Sequence, residues 1–109
     1  DQYGRLTFTT DLVRAIQHLL SEQAPFGTYN VTCDGPTLSW FDIAARVYEL
    51  SGRSASDVSP QSTEEYAAGK VVSPRPTNST LSLAKIKATG LELPSTDAAL
   101  TAYLARERA

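Results

Sequence analysis

The 109 residues hold one cysteine, one histidine and one tryptophan. A lone cysteine makes no internal disulfide, and one histidine beside it falls short of a zinc site. No apolar run approaches the roughly 18 residues of a membrane span, and no basic-then-apolar leader is visible. Charge of neither sign dominates: 10 Lys and Arg stand against 12 Asp and Glu, a net charge of −2. The basic residues are scattered, so the footprint of a nucleic-acid binder is missing. Together these absences predict a cytoplasmic chain with no nucleic-acid or membrane partner. What remains is ordinary globular composition, 41% hydrophobic and 20% charged with 6 Gly and 6 Pro, in a length that suits one domain over residues 1–109. The chain begins at Asp1 and not at a methionine, which predicts a piece of something longer.

Local patterns predict an α/β fold. After Thr9-Thr10-Asp11, the residues Leu12, Ala15, Ile16, Leu19 and Leu20 recur at helical spacing, with Thr9 or Thr10 as cap. Thr28 to Cys33 is β-branched and aromatic, a predicted strand ending in the turn Asp34-Gly35-Pro36. Ser39 and Asp42 have capping-box spacing, and Leu38 and Ile43 that of a hydrophobic staple. Trp40, Ile43, Ala44, Val47 and Leu50 then form the expected buried face of a second helix that stops at Gly52. Asp57 to Pro60 reads as a second strand, parallel to the first in a βαβ unit. A short helix capped by Ser62 with Glu65 follows. Gly69 to Thr80 has no period and is stiffened by Pro74-Arg75-Pro76, a loop long enough to suspect function. A short helix from Ser82 to Thr89 and a last one from Ser95 to about Arg106 complete a parallel β pair with about five helices. So thin a sheet calls for a neighbour.

Few side chains suggest chemistry. Tyr66-Ala67-Ala68-Gly69-Lys70 fits Tyr-x-x-x-Lys, a proton donor and the lysine that tunes it. Gly69 sits where the helix should end, however, so Lys70 is expected to leave the face of Tyr66. No glycine-rich strand-to-helix turn is present to hold a dinucleotide. Asn30 and Asn78 each begin a glycosylation sequon, a weak signal in a chain without a leader. Cys33 reads as a core residue, His18 as solvated, Trp40 as a core anchor, and the adjacent Glu64 and Glu65 as pointing apart. Arg75 stands out: prolines on both sides restrict its backbone, and a guanidinium fork suits a phosphate. The residues alone leave it even with a plain surface arginine.

Several stretches in order resemble the C-terminal part of the dTDP-4-dehydrorhamnose reductase family. They are Asp1-Gln2-Tyr3-Gly4-Arg5-Leu6-Thr7, Asp11-Leu12, Gly27 to Thr32, Ser39 to Ala44, Pro74 to Leu81, Lys85-Ile86 and Leu93-Pro94. The resemblance covers nearly the whole chain, though Leu6 stands where the family carries proline. The family belongs to the extended short-chain dehydrogenases/reductases, in which an N-terminal Rossmann domain binds NADPH and a small α/β domain closes over the nucleotide sugar. It implies the substrate-binding domain of an enzyme that reduces dTDP-4-dehydro-L-rhamnose to dTDP-L-rhamnose for cell-wall polysaccharide. The Rossmann domain, the NADPH site and the catalytic Tyr and Lys would lie outside this chain, which alone is expected to be inactive, without catalytic, cofactor or metal residues. Gln2 and Gly4 would sit at the rim of the sugar-nucleotide cleft, and Arg75 and Asn78 would approach the diphosphate and nucleoside of a dTDP-sugar.

Three other readings stay open. A non-catalytic relative, such as a regulatory subunit of methionine adenosyltransferase, would share the fold and serve as a binding partner. Another nucleotide-sugar epimerase or dehydratase would differ in product, and a stand-alone interaction module would lack the upstream domain.

Overall fold

The computed structural model describes residues 1–107. Two two-residue strands, β1 (Tyr3–Gly4) and β2 (Leu38–Ser39), pair antiparallel, Tyr3 opposite Ser39 and Gly4 opposite Leu38. Five α-helices surround them: α1 (Thr9–Ser21), α2 (Trp40–Leu50), α3 (Thr63–Ala67), α4 (Ala84–Lys87) and α5 (Thr96–Glu107). A 3-10 turn at Ala55–Asp57 follows α2. The small α/β architecture and the five helices are those expected; the strands are not.

The expected parallel pair does not form. Thr28 to Thr32 makes no ladder, and its extension Cys33 donates its N–H to Leu6 C=O at 2.8 Å. Asp34 then bridges Ser95 in parallel, with its N–H on Pro94 C=O at 2.8 Å. The second segment begins in the 3-10 turn and continues without pairing. Both have strand propensity, but a strand exists only where another backbone lies alongside, and these two never meet. Tyr3 does find partners on both sides. Its other edge bridges Asn78 in parallel, its N–H bonding Thr77 C=O at 2.8 Å and its C=O accepting from Ser79 N–H at 2.9 Å.

Helix starts follow local chemistry closely. Ser39 accepts from Asp42 N–H at 3.1 Å while Asp42 Oδ2 accepts from Ser39 N–H at 3.0 Å, the reciprocal box that begins α2. Ser62 and Glu65 repeat it at α3, with the Ser62 hydroxyl accepting at 3.1 Å. Gly52 takes a left-handed φ of 80° just after α2, as a helix stop requires. The cap of α1 differs from expectation. Phe8 holds the position without a side-chain bond, and both threonines lie inside the helix.

α1 is helical as expected but turned about its axis. Asp11 and Ala15 are buried, and Leu19 packs against the core. Leu12, Ile16 and Leu20 are exposed, Leu20 by 75%. His18 is a further correction: its Nε2 meets Thr89 C=O at 2.9 Å, so it fastens α1 to the end of α4. Residues 11, 15, 18 and 19 share one face, and Ala15 is small enough to let the Leu83, Ile86, Leu91 and Leu93 cluster close on that face. Asp11 is balanced there by Arg14 at 3.2 Å. Among the described residues no helix covers the opposite stripe. The radius of gyration, 16.3 Å, exceeds the roughly 13 Å of a rounded domain this size, in keeping with a thin core and an open apolar face.

Candidate functional site

Tyr3 organises the site. With β2 on one side and Thr77 to Ser79 on the other, it draws the first residues, the start of α2 and the proline-flanked loop into one corner. Trp40 N–H bonds Gln2 C=O at 3.2 Å, fixing the first turn of α2 beside Gln2. Asp1 closes the third side, its Oδ1 accepting from Thr63 N–H at 2.8 Å and also from the Thr63 hydroxyl. The carboxylate satisfies an unpaired N–H at the start of α3 and ties that helix to the corner.

Two cavities open there. The larger, of about 750 Å³, runs between the N-terminal segment, the start of α2 and the stretch from Val58 through α3 to Arg75. The smaller, of about 170 Å³, lies against Gly4, Arg5 and Ser79. Gln2, Tyr3, Trp40 and Arg75 line both and so form the saddle between them. Several other cations are occupied. Arg5 donates to Gly35 and Leu81 carbonyls, Arg46 pairs with Asp97 and Glu49, and Lys87 meets Asp34 at 2.7 Å. Arg75 makes no hydrogen bond or ion pair among the described residues, and it is exposed. An arginine left with all five N–H donors on a proline-stiffened backbone, at the junction of two cavities, has the chemistry to meet an anion.

The four sequence-derived site residues thus fall in one region by different routes. Gln2 and Arg75 share the saddle, and Gly4 lines the smaller cavity. Asn78 lines neither. Its Oδ1 accepts from Thr80 N–H at 3.0 Å, so the side chain shapes the turn beside Tyr3. Trp40 is the chief correction. It is 61% exposed on a cavity wall, not buried, because α2 begins with it and the helix N-terminus faces the corner.

Tyr66 and Lys70 need a smaller correction. The helix does end at Ala67, and Gly69 has a left-handed φ of 71°. Yet the Lys70 ammonium returns to 4.1 Å from the Tyr66 ring centroid. It lies over the ring face as a cation–π contact. Cys33 is fully buried as expected; burial pushes its thiol pKa up, the charge of Asp11 adds to this, and a Thr96 hydrogen bond works against both. Glu65 is spent in its capping box. No group of three metal-ligating side chains occurs among the described residues, and no described helix is long and apolar enough to cross a membrane.

The family model for the RmlD substrate-binding domain matches residues 1–109. The chain belongs to that family. Two solved structures agree. A dTDP-4-dehydrorhamnose reductase from Clostridium acetobutylicum superposes with a TM-score of 0.86 at 29% identity, over 100% of this chain and 37% of its own. A dTDP-4-dehydrorhamnose reductase from Bacillus anthracis, in complex with NADP, gives 0.78 at 29% identity, over 96% of this chain and 36% of its own. No curated protein matches. This RmlD substrate-binding domain therefore spans just over a third of the length of the reductases it resembles. No glycine-rich turn leads into α1, α2 or α5 of the domain: the preceding residues are Arg5 to Phe8, Pro36 to Ser39, and Leu93 to Ser95. Its residues do not fit the diphosphate of a dinucleotide in the manner of a Rossmann turn.

Proposed function

We propose that this domain binds the nucleotide sugar in a dTDP-4-dehydrorhamnose reductase, with the NADPH site and the catalytic Tyr and Lys in a separate N-terminal Rossmann domain. The observation that carries the reading is the uncommitted guanidinium of Arg75 on the saddle between two cavities. A nucleotide sugar is two bulky groups joined by a diphosphate, and the saddle joins two spaces through a cation. Arg75 takes the diphosphate. Gln2 and Gly4 form the adjoining rim, and Asn78 holds the turn that follows Arg75 in place. The domain by itself is inactive, since neither Tyr66 nor Lys70 is arranged for proton donation. The substrate is the dTDP-4-dehydro sugar, a reading supported by the family match and by the reductases that share the fold.

The test is steady-state kinetics on the full-length protein with NADPH and dTDP-4-dehydro-L-rhamnose. A charge-assisted bond is worth about 1.5–3 kcal/mol. The diphosphate is unchanged by hydride transfer, so ground and transition states lose the bond equally. Arg75→Ala therefore raises KM roughly 10- to 150-fold with kcat nearly intact. Arg75→Lys recovers part of the loss, because an ammonium keeps the charge without the fork. A wild-type KM, or a fall in kcat alone, overturns the assignment.

A further inference from the structure

We infer that Trp40 is the platform on which the nucleobase of the bound nucleotide stacks, an assignment that rests on the function proposed above. The indole is rooted firmly and left open. Its main-chain N–H is tied to Gln2 C=O at 3.2 Å, and the Ser39–Asp42 box fixes the direction of the first helical turn. Its side chain nevertheless stays 61% exposed, away from the core cluster around Ile86. A large, rigid aromatic surface held in place before a ligand arrives loses little entropy when a flat group settles on it.

The two cavities decide which end of the ligand that group is. Trp40 and Arg75 line both, so a diphosphate on Arg75 leaves one flanking group in each. The larger, about 750 Å³, is bounded by Trp40, Val58, Tyr66 and Val72 together with the polar Gln61 and Thr63. The smaller, about 170 Å³, is bordered by Leu6, Leu38, Ile43 and Pro76 as well as by Arg5 and Ser79, so polarity does not separate the two. A nucleoside, a base plus a pentose, is bulkier than a single hexose, and the flat faces of its pyrimidine suit an indole. The nucleoside therefore belongs in the larger space, its base against the indole, and the hexose in the smaller.

Calorimetric titration of the full-length protein with dTDP, and separately with inorganic pyrophosphate, separates base from phosphate. Trp40→Ala weakens dTDP roughly 5- to 150-fold, the range for loss of one base–aromatic stack, and leaves pyrophosphate affinity within about 2-fold. Trp40→Phe holds dTDP affinity within about threefold, and the quenching of indole emission by dTDP falls with the loss of this indole. An unchanged dTDP affinity in Trp40→Ala overturns the inference, as does an equal loss for pyrophosphate. Where Trp40→Ala does not fold, quenching of undiminished amplitude in Trp40→Phe overturns it. The proposed function survives each of these results provided Arg75→Ala weakens both ligands. A wild-type protein that binds neither dTDP nor pyrophosphate removes the proposed function, and this inference with it.

Discussion

Gly4 and Ser79 approach so closely that a β-carbon placed on Gly4 would lie 2.7 Å from the Ser79 hydroxyl oxygen. The contact follows from Tyr3, which pairs with β2 on one edge and accepts from Ser79 N–H on the other. A β-carbon at position 4 would displace the Ser79 hydroxyl, next to Asn78, so glycine lets the two site-bearing stretches pack closely with that hydroxyl in place.

Gly4→Ala is therefore expected to destabilise by about 1–3 kcal/mol, the cost of overpacking. The clash is with the hydroxyl; the Ser79 β-carbon is 4.0 Å away, ordinary contact. In a Ser79→Ala background the same substitution should lose most of its cost, and urea unfolding of the four proteins should give a coupling of at least about 0.5 kcal/mol. Additive effects would show that the hydroxyl is not what Gly4 accommodates.

The readability of these features in the sequence depends on how local their causes are. The boxes at Ser39–Asp42 and Ser62–Glu65 involve residues three apart, and both formed as their spacing predicts. The facing of α1 was not readable. Leu12, Ile16 and Leu20 have the right period, but small Ala15 and the reach of His18 to Thr89 decide which side meets the Leu83–Leu93 cluster. Thr28 to Cys33 has every local mark of a strand and no ladder partner, since pairing is decided by distant residues. Trp40 looked like a core anchor because size and helical register favour burial; its position at the first turn of α2 decides otherwise. Arg75 stood out from its flanking prolines, Gln2, Gly4 and Asn78 came from family resemblance, and the pairing of Tyr3 gives their proximity a physical cause. Asp1 as a tie to Thr63 was missed, and the Asp-Gln-x-Gly stretch held the only sign of it.

Cys33 should be chemically silent in the folded protein. It is fully buried, and its thiol pKa is raised by burial above all and by Asp11 after that, so little thiolate forms near neutral pH. A thiol reagent such as Ellman's, applied at pH 8, should react about 100-fold or more slowly than in urea, because access needs an opening of the core. Fast stoichiometric labelling of the native protein would mean that the contact between Cys33 and Leu6 opens readily.

Asp34 and Lys87 should make stability depend on acid. Lys87 Nζ lies 2.7 Å from Asp34 Oδ2 and joins the end of α4 to the Asp34–Ser95 bridge. The lysine is the main reason that the Asp34 pKa is held below its ordinary value, with the Gly35 N–H second and the burial penalty working against both. A carboxyl whose folded-state pKa is depressed contributes stability that is fully present above its unfolded pKa of about 3.9. That contribution is lost as pH falls through the folded-state value. Both side chains are partly solvated, 49% exposed for Lys87 and 32% for Asp34, so the pair is worth about 1 kcal/mol or less. Lys87→Ala should lower stability by that amount at pH 7. The gap from wild type should narrow below about pH 4 and also at high salt, where the pair is screened. Urea unfolding between pH 2 and pH 8 reads the difference directly. A gap of the same size at pH 2.5 and pH 7 would assign the effect to packing of the lysine stem instead of to the charge on Asp34.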